Sequence, residues 1–489
     1  MNYRMIFTLL GYVLLMIGAL LCLPLIVALI YREKEVWSIL QSILISVGSG
    51  LLLALLRPKK NRAMYAREGF VMVSLSWVII SLVGALPFYI SKAIPSYLDA
   101  VFEAISGFTT TGASILTDVE AMPHCLLLWR SFTHWLGGMG VLVFMLAIVP
   151  MSGESIYLLK AESPGPSVSK MVPKMRTSSL ILYGIYFALT VLQLLVYLLG
   201  NLFGWSDLPF FDAVCLAFGT AGTGGFAVRA DGLASYGMYI QAVTTVFMIL
   251  FGVNFSIYFF LISKRFRLIF KNSELRCYIV IILSAVTLIS LNLILTGGYF
   301  SKNGDAVHHA AFAVGSIITT TGYGTVDFSQ WPEFSRAILM ILMIVGASAG
   351  STGGGMKVSR WLILAKSARS EIRRMVHPHA VEVMTMDGKK VGRDVIRGTG
   401  AFLTVYCALL LISFLAVSLD GFGTETSLTA ALATLDNIGP GTSSLIGPMG
   451  SYAGFSAFSK IVLSLNMLFG RLELFPMLLL LRPSTWRKH

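Results

Sequence analysis

Near its middle the chain reads Thr319-Thr320-Thr321-Gly322-Tyr323-Gly324. A loop of this composition can hold a row of backbone carbonyl oxygens in an extended conformation. Such oxygens can replace the water around a potassium ion. One loop cannot surround an ion, so a potassium site requires the chain to supply three more loops of the same kind.

The composition is that of a membrane protein. The chain has 489 residues, of which 56% are hydrophobic and 12% charged. Several apolar runs exceed the roughly 18 residues that indicate a membrane-spanning helix. The first run, from Met5 to Tyr31, has no small-residue cleavage site, so we expect a retained helix and not a removed signal peptide.

The formal net charge of +13 is unevenly distributed. Basic residues cluster between the apolar runs, whereas the segments 99–120 and 207–231 contain few cations. Because positive residues concentrate on the cytoplasmic side, this pattern orients a multi-pass protein with both termini in the cytoplasm, and it does not indicate nucleic-acid binding. The basic clusters fall at 57–67, 160–176, 264–276, 357–397 and 482–488.

One order of segments occurs four times: a span, a short apolar helix, a loop rich in Gly and Thr, and a second span. The short helices are expected at 97–108, 209–218, 306–317 and 427–434. The spans around them are expected at 69–92 and 123–150, 178–203 and 236–263, 277–297 and 337–366, and 399–419 and 456–481. Short helices of this length cannot cross a bilayer, so we expect re-entrant pore helices.

The predicted fold is therefore an all-α polytopic membrane protein with four repeats around one pore. An N-terminal helical hairpin, 5–31 and 37–57, precedes the repeats. The predicted units are 1–68 for the hairpin and its basic loop, then the repeats 69–176, 177–276, 277–398 and 399–489.

The sizeable soluble stretch, about 367–398, is too short for a catalytic or nucleotide-binding domain, and we expect no enzyme activity. Within it, 381–391 could form a small hairpin that turns at Asp387-Gly388. A membrane enzyme would also need convergent His, Asp or Glu residues on one face, and the sequence offers no such set.

The stretch 346–355, Gly-Ala-Ser-Ala-Gly-Ser-Thr-Gly-Gly-Gly, lies inside the predicted span 337–366. A helix with so many glycines breaks. Two interpretations remain open at this point: close helix packing through small residues, or an unwound loop beneath the pore. It is not a phosphate loop, because the Gly-Lys-Ser/Thr ending is missing.

Arg471 is a charge within the apolar run 456–481, and such charges are costly in a membrane and usually functional. The alternative is a structural arginine, paired with Glu473 or with carbonyl groups between helices. Lys460 and Arg130 lie nearer to span ends, where long side chains are expected to reach the membrane surface.

Six motifs resemble the Trk/Ktr/HKT superfamily of potassium transporters, and within it the bacterial Trk-type membrane subunit. The resemblance covers essentially all 489 residues. Its motifs are SGFTTTGAS (106–114), GTAGTGGF (219–226), TTTGYGTVDF (319–328), GASAGSTGGGMKVSR (346–360), TLDNIGPG (434–441) and FGRLELFP (469–476).

The resemblance implies that the four loops form one asymmetric potassium filter, with a glycine at the key position of each: Gly112, Gly224, Gly322 and Gly439. In HKT relatives serine at the first position goes with sodium preference, so Gly112 favours potassium. The filter residues expected to bind the ion are Thr110, Thr111, Gly112, Thr223, Gly224, Thr320, Thr321, Gly322, Tyr323, Asn437, Ile438 and Gly439.

The resemblance also implies a gate and partners. The family's intramembrane gating loop corresponds to the glycine-rich stretch, and its barrier arginine to Arg471. It further implies a homodimer in the bacterial inner membrane, in contact with membrane lipids and with a cytoplasmic ring of nucleotide-binding regulatory subunits. The expected gate residues are Gly346, Gly350, Ser351, Thr352, Gly353, Gly354, Gly355 and Arg471.

The transport mechanism has two candidate forms. In one, potassium enters through a mildly acidic vestibule with residues such as Asp99, Glu103, Asp212 and Asp327 and passes the filter without coupling. The alternative is a proton- or sodium-coupled secondary transporter (a symporter), since broken helices with charges also describe that class. The sequence shows no clear intramembrane Asp/Glu relay, which disfavours coupling.

Overall fold

The computed structural model describes residues 3–56, 66–140, 175–377 and 383–486. Predictions that fall on other residues, including most of the basic clusters 57–67 and 160–176 and the end of the predicted span 123–150, lie outside these ranges. The helices are α1 Tyr3–Leu20, α2 Cys22–Ile30, α3 Val36–Ala54, α4 Ala66–Gly84, α5 Leu86–Ile90, α6 Tyr97–Phe108, α7 His124–Gly138, α8 Met175–Leu202, α9 Phe210–Gly222, α10 Met238–Phe251, α11 Phe255–Ile262, α12 Phe266–Lys271, α13 Ser273–Thr296, α14 Asn303–Ile318, α15 Glu333–Val345, α16 Val358–Val376, α17 Arg393–Val417, α18 Thr424–Leu435, α19 Ala457–Arg471 and α20 Phe475–Leu481.

The predicted all-helical, multi-pass fold is confirmed. Within the described ranges, six helical segments are long and apolar enough to cross a membrane, and seven if a bent pair counts as one span. The division of the chain into units at residues 68, 176, 276 and 398 stays a prediction. The six segments are Tyr3–Ile30, Val36–Ala54, Arg67–Ile90, Ser179–Leu202, Ser273–Thr296 and Arg393–Asp420.

The N-terminal hairpin packs through small residues. A Cβ on Gly11 would lie 2.6 Å from the backbone nitrogen of Ala54 and 2.7 Å from the carbonyl oxygen of Gly50. The Ser46 hydroxyl donates to the carbonyl of Leu14 at 2.7 Å. Lipid offers no hydrophobic force between helices, so close backbone approach and such hydrogen bonds hold α1 against α3.

Glu33, in the connection between α2 and α3, caps the start of α7. Its Oε1 accepts from the backbone N–H of His124 at 2.7 Å and its Oε2 from that of Cys125 at 3.0 Å. Burial by itself raises the pKa of this carboxyl, but the hydrogen bonds from Cys125 and His124 outweigh it, and the pKa is lowered. The hairpin is thereby fixed to the first repeat.

The four short helices are α6, α9, α14 and α18, with 12, 13, 16 and 12 residues. At about 1.5 Å per residue none of them is long enough to cross a bilayer. The first lies at the predicted 97–108, while the second ends at Gly222 and extends beyond the predicted Phe218. Each short helix is followed by one of the glycine-rich loops.

The second helix of the second repeat is broken where a continuous span, 236–263, was predicted. Helices α10 and α11 meet at an angle of 90° across residues 252–254. Asn254 starts the new helix, because its side-chain oxygen accepts from the Ser256 N–H at 2.9 Å. The prediction was wrong because one glycine and one capping residue in an apolar run give a weak signal.

The predicted span 456–481 is also interrupted. Helix α19 ends at Arg471, and Glu473 and Leu474 have positive φ angles of 56° and 64° before α20 resumes. Pro476 stands in the first turn of α20, the position at which proline is tolerated. In the third repeat the break between α15 and α16 falls at 346–357, as the glycine-rich stretch predicted.

The predicted hairpin in the soluble stretch is present but short. Strand β1, Thr385–Met386, pairs antiparallel with β2, Lys389–Lys390. The turn residues Asp387 and Gly388 have φ angles of 53° and 77°, as a two-residue type I′ turn requires. Residues 381 and 382 lie outside the described ranges.

A buried ion pair connects α6 to α7. Arg130 is 2% exposed and lies 2.8 Å from Oε1 of Glu103, whose side chain is fully buried. The guanidinium also lies 4.0 Å from the ring centre of Phe226 and donates to the Ala227 carbonyl. The expectation that Arg130 reaches the membrane surface is therefore wrong, because a buried carboxylate holds it inside.

Glu103→Gln is expected to lower the free energy of unfolding by about 3–5 kcal/mol, because it leaves the buried Arg130 without its counter-charge. Glu425→Gln is the matched control, since Glu425 pairs with Arg336 at 3.0 Å on the surface and should change stability by less than about 1 kcal/mol. Thermal unfolding of the purified variants in detergent measures both. Equal thermal unfolding midpoints for the two variants would contradict this account of the Glu103–Arg130 pair.

Candidate functional site

The four glycine-rich loops leave their pore helices with one hydrogen-bond pattern. In each loop one backbone N–H reaches back to the carbonyl five residues earlier, so the chain turns sharply at the helix end. The pairs are Thr111 to Ser106 at 2.9 Å, Gly224 to Gly219 at 2.9 Å, Thr321 to Ser316 at 2.8 Å and Ile438 to Ala433 at 2.8 Å. This pattern sets the register between the loops.

Backbone torsions confirm the register. The residue before each of these donors has a positive φ angle of 53–59°, in Thr110, Thr223, Thr320 and Asn437. The residue after each donor is a glycine with φ of 78–92°, in Gly112, Gly225, Gly322 and Gly439. Positive φ is accessible to glycine without steric cost, which explains the glycine at this position.

The predicted equivalence of Gly224 with Gly112 is therefore wrong by one residue. Gly225 occupies the position of Gly112, and Gly224 that of Thr111. The second loop contains two adjacent glycines, so its sequence alone does not distinguish them. Its Thr223 corresponds to Thr110 and not to Thr111.

The four glycines close a ring. A Cβ on Gly112 would overlap the carbonyl oxygen of Gly224, and one on Gly225 would overlap that of Thr321. In the same way Gly322 faces the Ile438 carbonyl, and Gly439 faces the Thr111 carbonyl. Each loop thus brings its backbone against that of the next, and the fourth contacts the first.

A cavity of about 130 Å³ opens on this ring and is lined by residues of all four loops, including Gly112, Gly225, Gly322 and Gly439. Carbonyl oxygens arranged around a cavity in a membrane are suited to a dehydrated monovalent cation. No group of three or more His, Cys, Asp or Glu that could hold another kind of metal occurs in the part of the chain that the structure describes.

The four carboxylates predicted for an acidic vestibule do not line this cavity. Asp99, Glu103, Asp212 and Asp327 are absent from the described residues that line this cavity. Asp99 pairs with Lys460 at 2.7 Å, and Asp212 accepts from the hydroxyl of Tyr236 at 2.8 Å. Asp327 caps a short 3₁₀ turn, and Glu103 is held by Arg130. These carboxylates stabilise the loops and their supports.

Buried side chains behind the loops fix the carbonyl positions. The Ser316 hydroxyl donates to the carbonyl of Tyr323 at 2.6 Å, and that of Tyr452 to the carbonyl of Gly439 at 2.7 Å. His134 contacts the Gly107 carbonyl through Nδ1 at 2.8 Å and accepts the Phe226 N–H at Nε2 at 3.1 Å. Sequence patterns did not indicate a role for His134 or Tyr452, because both lie outside the glycine-rich motifs.

The threonine side chains are mostly engaged within the protein. The hydroxyls of Thr109 and Thr111 lie 2.8 Å apart, and those of Thr319 and Thr321 lie 2.7 Å apart. The Asn437 amide also donates to the Thr111 hydroxyl at 2.9 Å, connecting the fourth loop to the first. Backbone carbonyls are therefore better placed than these hydroxyls to serve as ion ligands.

The segment 346–357, which we call the intramembrane loop, contacts the third and fourth glycine-rich loops. The Gly354 N–H donates to the Thr320 hydroxyl at 2.6 Å, and the Gly355 N–H to the carbonyl of Asp436 at 3.0 Å. A Cβ on Gly353 would lie 2.8 Å from the Thr319 carbonyl. The segment is unwound and also closely packed, so both interpretations of its glycines are partly right.

The intramembrane loop is held on its other side by the break between α10 and α11. The Phe255 N–H donates to the Gly350 carbonyl at 3.0 Å, and the Ser348 N–H to that of Gly252 at 3.1 Å. The buried Glu274 accepts the Ala349 N–H at 2.6 Å. Lys357, also buried, donates to the Gly353 carbonyl. Sequence reasoning missed Glu274 and Lys357 because each stands at a helix start within a basic region.

Arg471 connects three elements: the first glycine-rich loop, the intramembrane loop and the end of α7. Its Nη1 donates to the Thr110 hydroxyl at 3.2 Å and to the carbonyl of Thr352 in the intramembrane loop at 3.0 Å. Its Nη2 donates to the carbonyls of Gly137 and Gly138 at the end of α7. Glu473 pairs instead with Arg360, so of the two structural alternatives only the carbonyl contacts occur.

Comparisons with known proteins agree with this architecture. Residues 37–488 match the TrkH family, described as cation transport proteins. The Trk system potassium uptake protein TrkH of Salmonella typhimurium is 33% identical over 100% of both chains. TrkI of Halomonas elongata is 31% identical over 97% of this chain and 95% of its own.

The crystal structure of the potassium transporter TrkH from Vibrio parahaemolyticus superposes with a TM-score of 0.87 at 29% identity and covers 100% of both chains. Fold, length and sequence therefore agree from end to end. The chain belongs to the TrkH family of cation transport proteins.

Proposed function

We propose that this protein takes up potassium across a bacterial inner membrane through the ring formed by the four loops. The observation that carries the proposal is the closure of that ring, in which Gly112, Gly225, Gly322 and Gly439 each abut the carbonyl of a neighbouring loop. The similar proteins are named potassium uptake proteins, which supports potassium as the cargo. A negative-inside potential favours entry by about 2.3 kcal/mol per charge per 100 mV.

The intramembrane loop and Arg471 form the proposed gate. Contacts of the loop with Thr320 and Asp436 place it against two of the four filter loops. Arg471 extends the barrier to the first loop through Thr110. A positive charge at the inner end of the filter repels a cation, so opening has to displace the guanidinium or neutralise its effect.

Both termini are proposed to be cytoplasmic. The Tyr3 hydroxyl donates to the carbonyl of Trp486 at 2.8 Å, so the two ends of the described chain lie on one side of the protein. Arg67, at the end of a basic cluster, donates to the Ser484 carbonyl on that same side. Concentration of positive charge there supports the cytoplasmic assignment.

A homodimer that carries a cytoplasmic ring of nucleotide-binding subunits remains part of the proposal. Helix α16 supports it, since the helix begins next to the intramembrane loop at Val358 and ends with the exposed Arg373 and Arg374. A partner that moves this helix would therefore act on the gate directly. Nucleotide binding is assigned to that partner and not to this chain.

Coupling to protons or sodium is the second candidate. The structure places two buried carboxylates beside the intramembrane loop, which sequence reasoning did not recognise. Asp436 accepts the Tyr406 hydroxyl at 2.8 Å, and Glu274 accepts the Ala349 N–H at 2.6 Å. Buried acids at a gate can exchange protons during transport, so this candidate now has a structural basis.

Flux into proteoliposomes that contain the purified protein tests the main proposal. Under an imposed inside-negative potential, potassium uptake is expected to exceed choline uptake, because choline cannot pass a ring of carbonyls. Simultaneous recording of internal pH and of sodium uptake separates the two candidates: uncoupled flow changes neither, whereas coupling acidifies the lumen or carries sodium inward in a fixed ratio to potassium. Equal rates for potassium and choline, with or without a regulatory subunit, would contradict the pore.

Gly112→Ser is expected to lower the potassium-over-sodium flux ratio by at least about tenfold, a change of about 1.4 kcal/mol. The added Cβ would overlap the Gly224 carbonyl oxygen and displace it. Gly184→Ser is the control, because a Cβ there meets no atom within 4 Å. An unchanged ratio in a correctly folded Gly112→Ser protein would remove the first loop from the filter.

Arg471→Ala is expected to raise basal potassium flux without a partner by more than about tenfold. At an effective dielectric constant of about 20, a like charge about 8 Å from a cation raises its energy by about 2 kcal/mol, and removing it accelerates passage accordingly. Lys460→Gln removes a cation from the same helix, where it pairs with Asp99. If both variants show wild-type basal flux, Arg471 is not a barrier.

A further inference from the structure

A second cavity, of about 460 Å³, lies between α16, the β1–β2 hairpin and the start of α17. Ser367, Ser370 and Arg374 face it from α16, and Arg393 and Arg397 face it from α17. These residues are spaced by three or four positions along each helix, so they form one continuous face per helix. Lys390 closes the third side from the hairpin.

The cavity carries an excess of positive charge. Four cations, Arg374, Lys390, Arg393 and Arg397, line it together with one acid, Glu371. Glu371 is engaged by Arg374 at 3.0 Å. Among the described residues no ion pair involves Lys390, Arg393 or Arg397. Three cations from two separate elements therefore converge on a space without a protein counter-charge.

The walls of the cavity are fixed by contacts that do not use its lining. Lys366 donates to the carbonyl of Thr385 in the hairpin at 2.7 Å. Asp387 in the turn accepts the Ser273 N–H at the start of α13 at 2.7 Å. The hairpin is thus attached to two helices, and the cavity is a built feature between three anchored elements.

We propose that this cavity binds a phosphate-bearing anion with two or more negative charges. Arginine forks match phosphate oxygens in pairs, and the hydroxyls of Ser367 and Ser370 supply further donors. Gly392, which precedes α17, provides no side-chain cap, but the first turn of the helix carries Asp394, so the arginines and Lys390 supply the positive potential. Arginine forks also pair with carboxylates, so an acidic peptide is the competing ligand that the experiment has to include.

Two sources can supply such a group: the head group of an acidic phospholipid, or a soluble polyphosphate compound. The cavity lies at the start of α17, where the apolar span Arg393–Asp420 begins, and α16 exposes the apolar side chains of Ile372 and Met375. Both sources present phosphate groups to the same arginine and serine side chains. A bound anion would join α16 to α17 and so restrain the helix that leads from the intramembrane loop.

Direct binding to the purified full-length protein tests the proposal independently of potassium flux. Isothermal titration with inorganic pyrophosphate measures the soluble source. Native mass spectrometry with cardiolipin, against phosphatidylcholine, measures the lipid source. Arg393→Gln with Arg397→Gln is expected to weaken binding of at least one probe by about tenfold or more, and Lys390→Gln by a smaller factor.

The matched control is Arg267→Gln with Lys271→Gln, which removes two exposed cations from α12 outside the cavity and should leave binding unchanged. If the cavity variants weaken pyrophosphate binding and the control does not, the ligand is a soluble compound. If they weaken only cardiolipin binding, the ligand is a lipid. The proposal is overturned if neither probe distinguishes the cavity variants from the control. It is equally overturned if the cavity variants differ from the control only in binding an oligoglutamate peptide, because the cavity then serves a protein partner.

Discussion

The contact of a glycine Cα with the carbonyl oxygen of the neighbouring loop is the constraint on which the whole architecture depends. It occurs four times, from Gly112, Gly225, Gly322 and Gly439, and it leaves no room for a side chain. Because both partners are backbone atoms, a change of side-chain rotamer cannot adjust the distance between two loops. The positions of the pore helices therefore set that distance. The buried supports, such as Glu103 with Arg130 and His134 between two loops, keep those helices in place.

Much of the fold and of the candidate site could be predicted from the sequence, because composition and repetition are strong signals. The positions of the pore helices and three of the four ring glycines follow from the sequence, and the break at 346–357 follows from its glycines. The register of the second loop did not follow from the sequence, because Gly224 and Gly225 are chemically identical and only their backbone torsions distinguish them. The contacts of Arg130, Glu274 and Lys357 depend on residues distant in sequence, and local patterns carry no information about them.

The breaks in the second helices have a common physical role. The chain is unwound at 252–254, at 346–357 and at 472–474. The first two breaks bond to each other through the Ser348 N–H and the Gly252 carbonyl, and Arg471, next to the third, donates to Thr352 in the second. The break at 346–357 gives up helical hydrogen bonds and regains them from residues distant in sequence, so its conformation depends on the elements around it.

The ring is completed within a single polypeptide, since the fourth loop contacts the first through Gly439 and Thr111. A channel assembled from four separate subunits places identical residues around its axis, and one defective subunit spoils the shared pore. Here the ring needs no second copy of the chain, so a damaging substitution in one copy is expected to leave the ring of an accompanying intact copy unchanged. The four loops also need not be identical, and Asn437-Ile438 stands in the fourth loop where Thr110-Thr111 stands in the first.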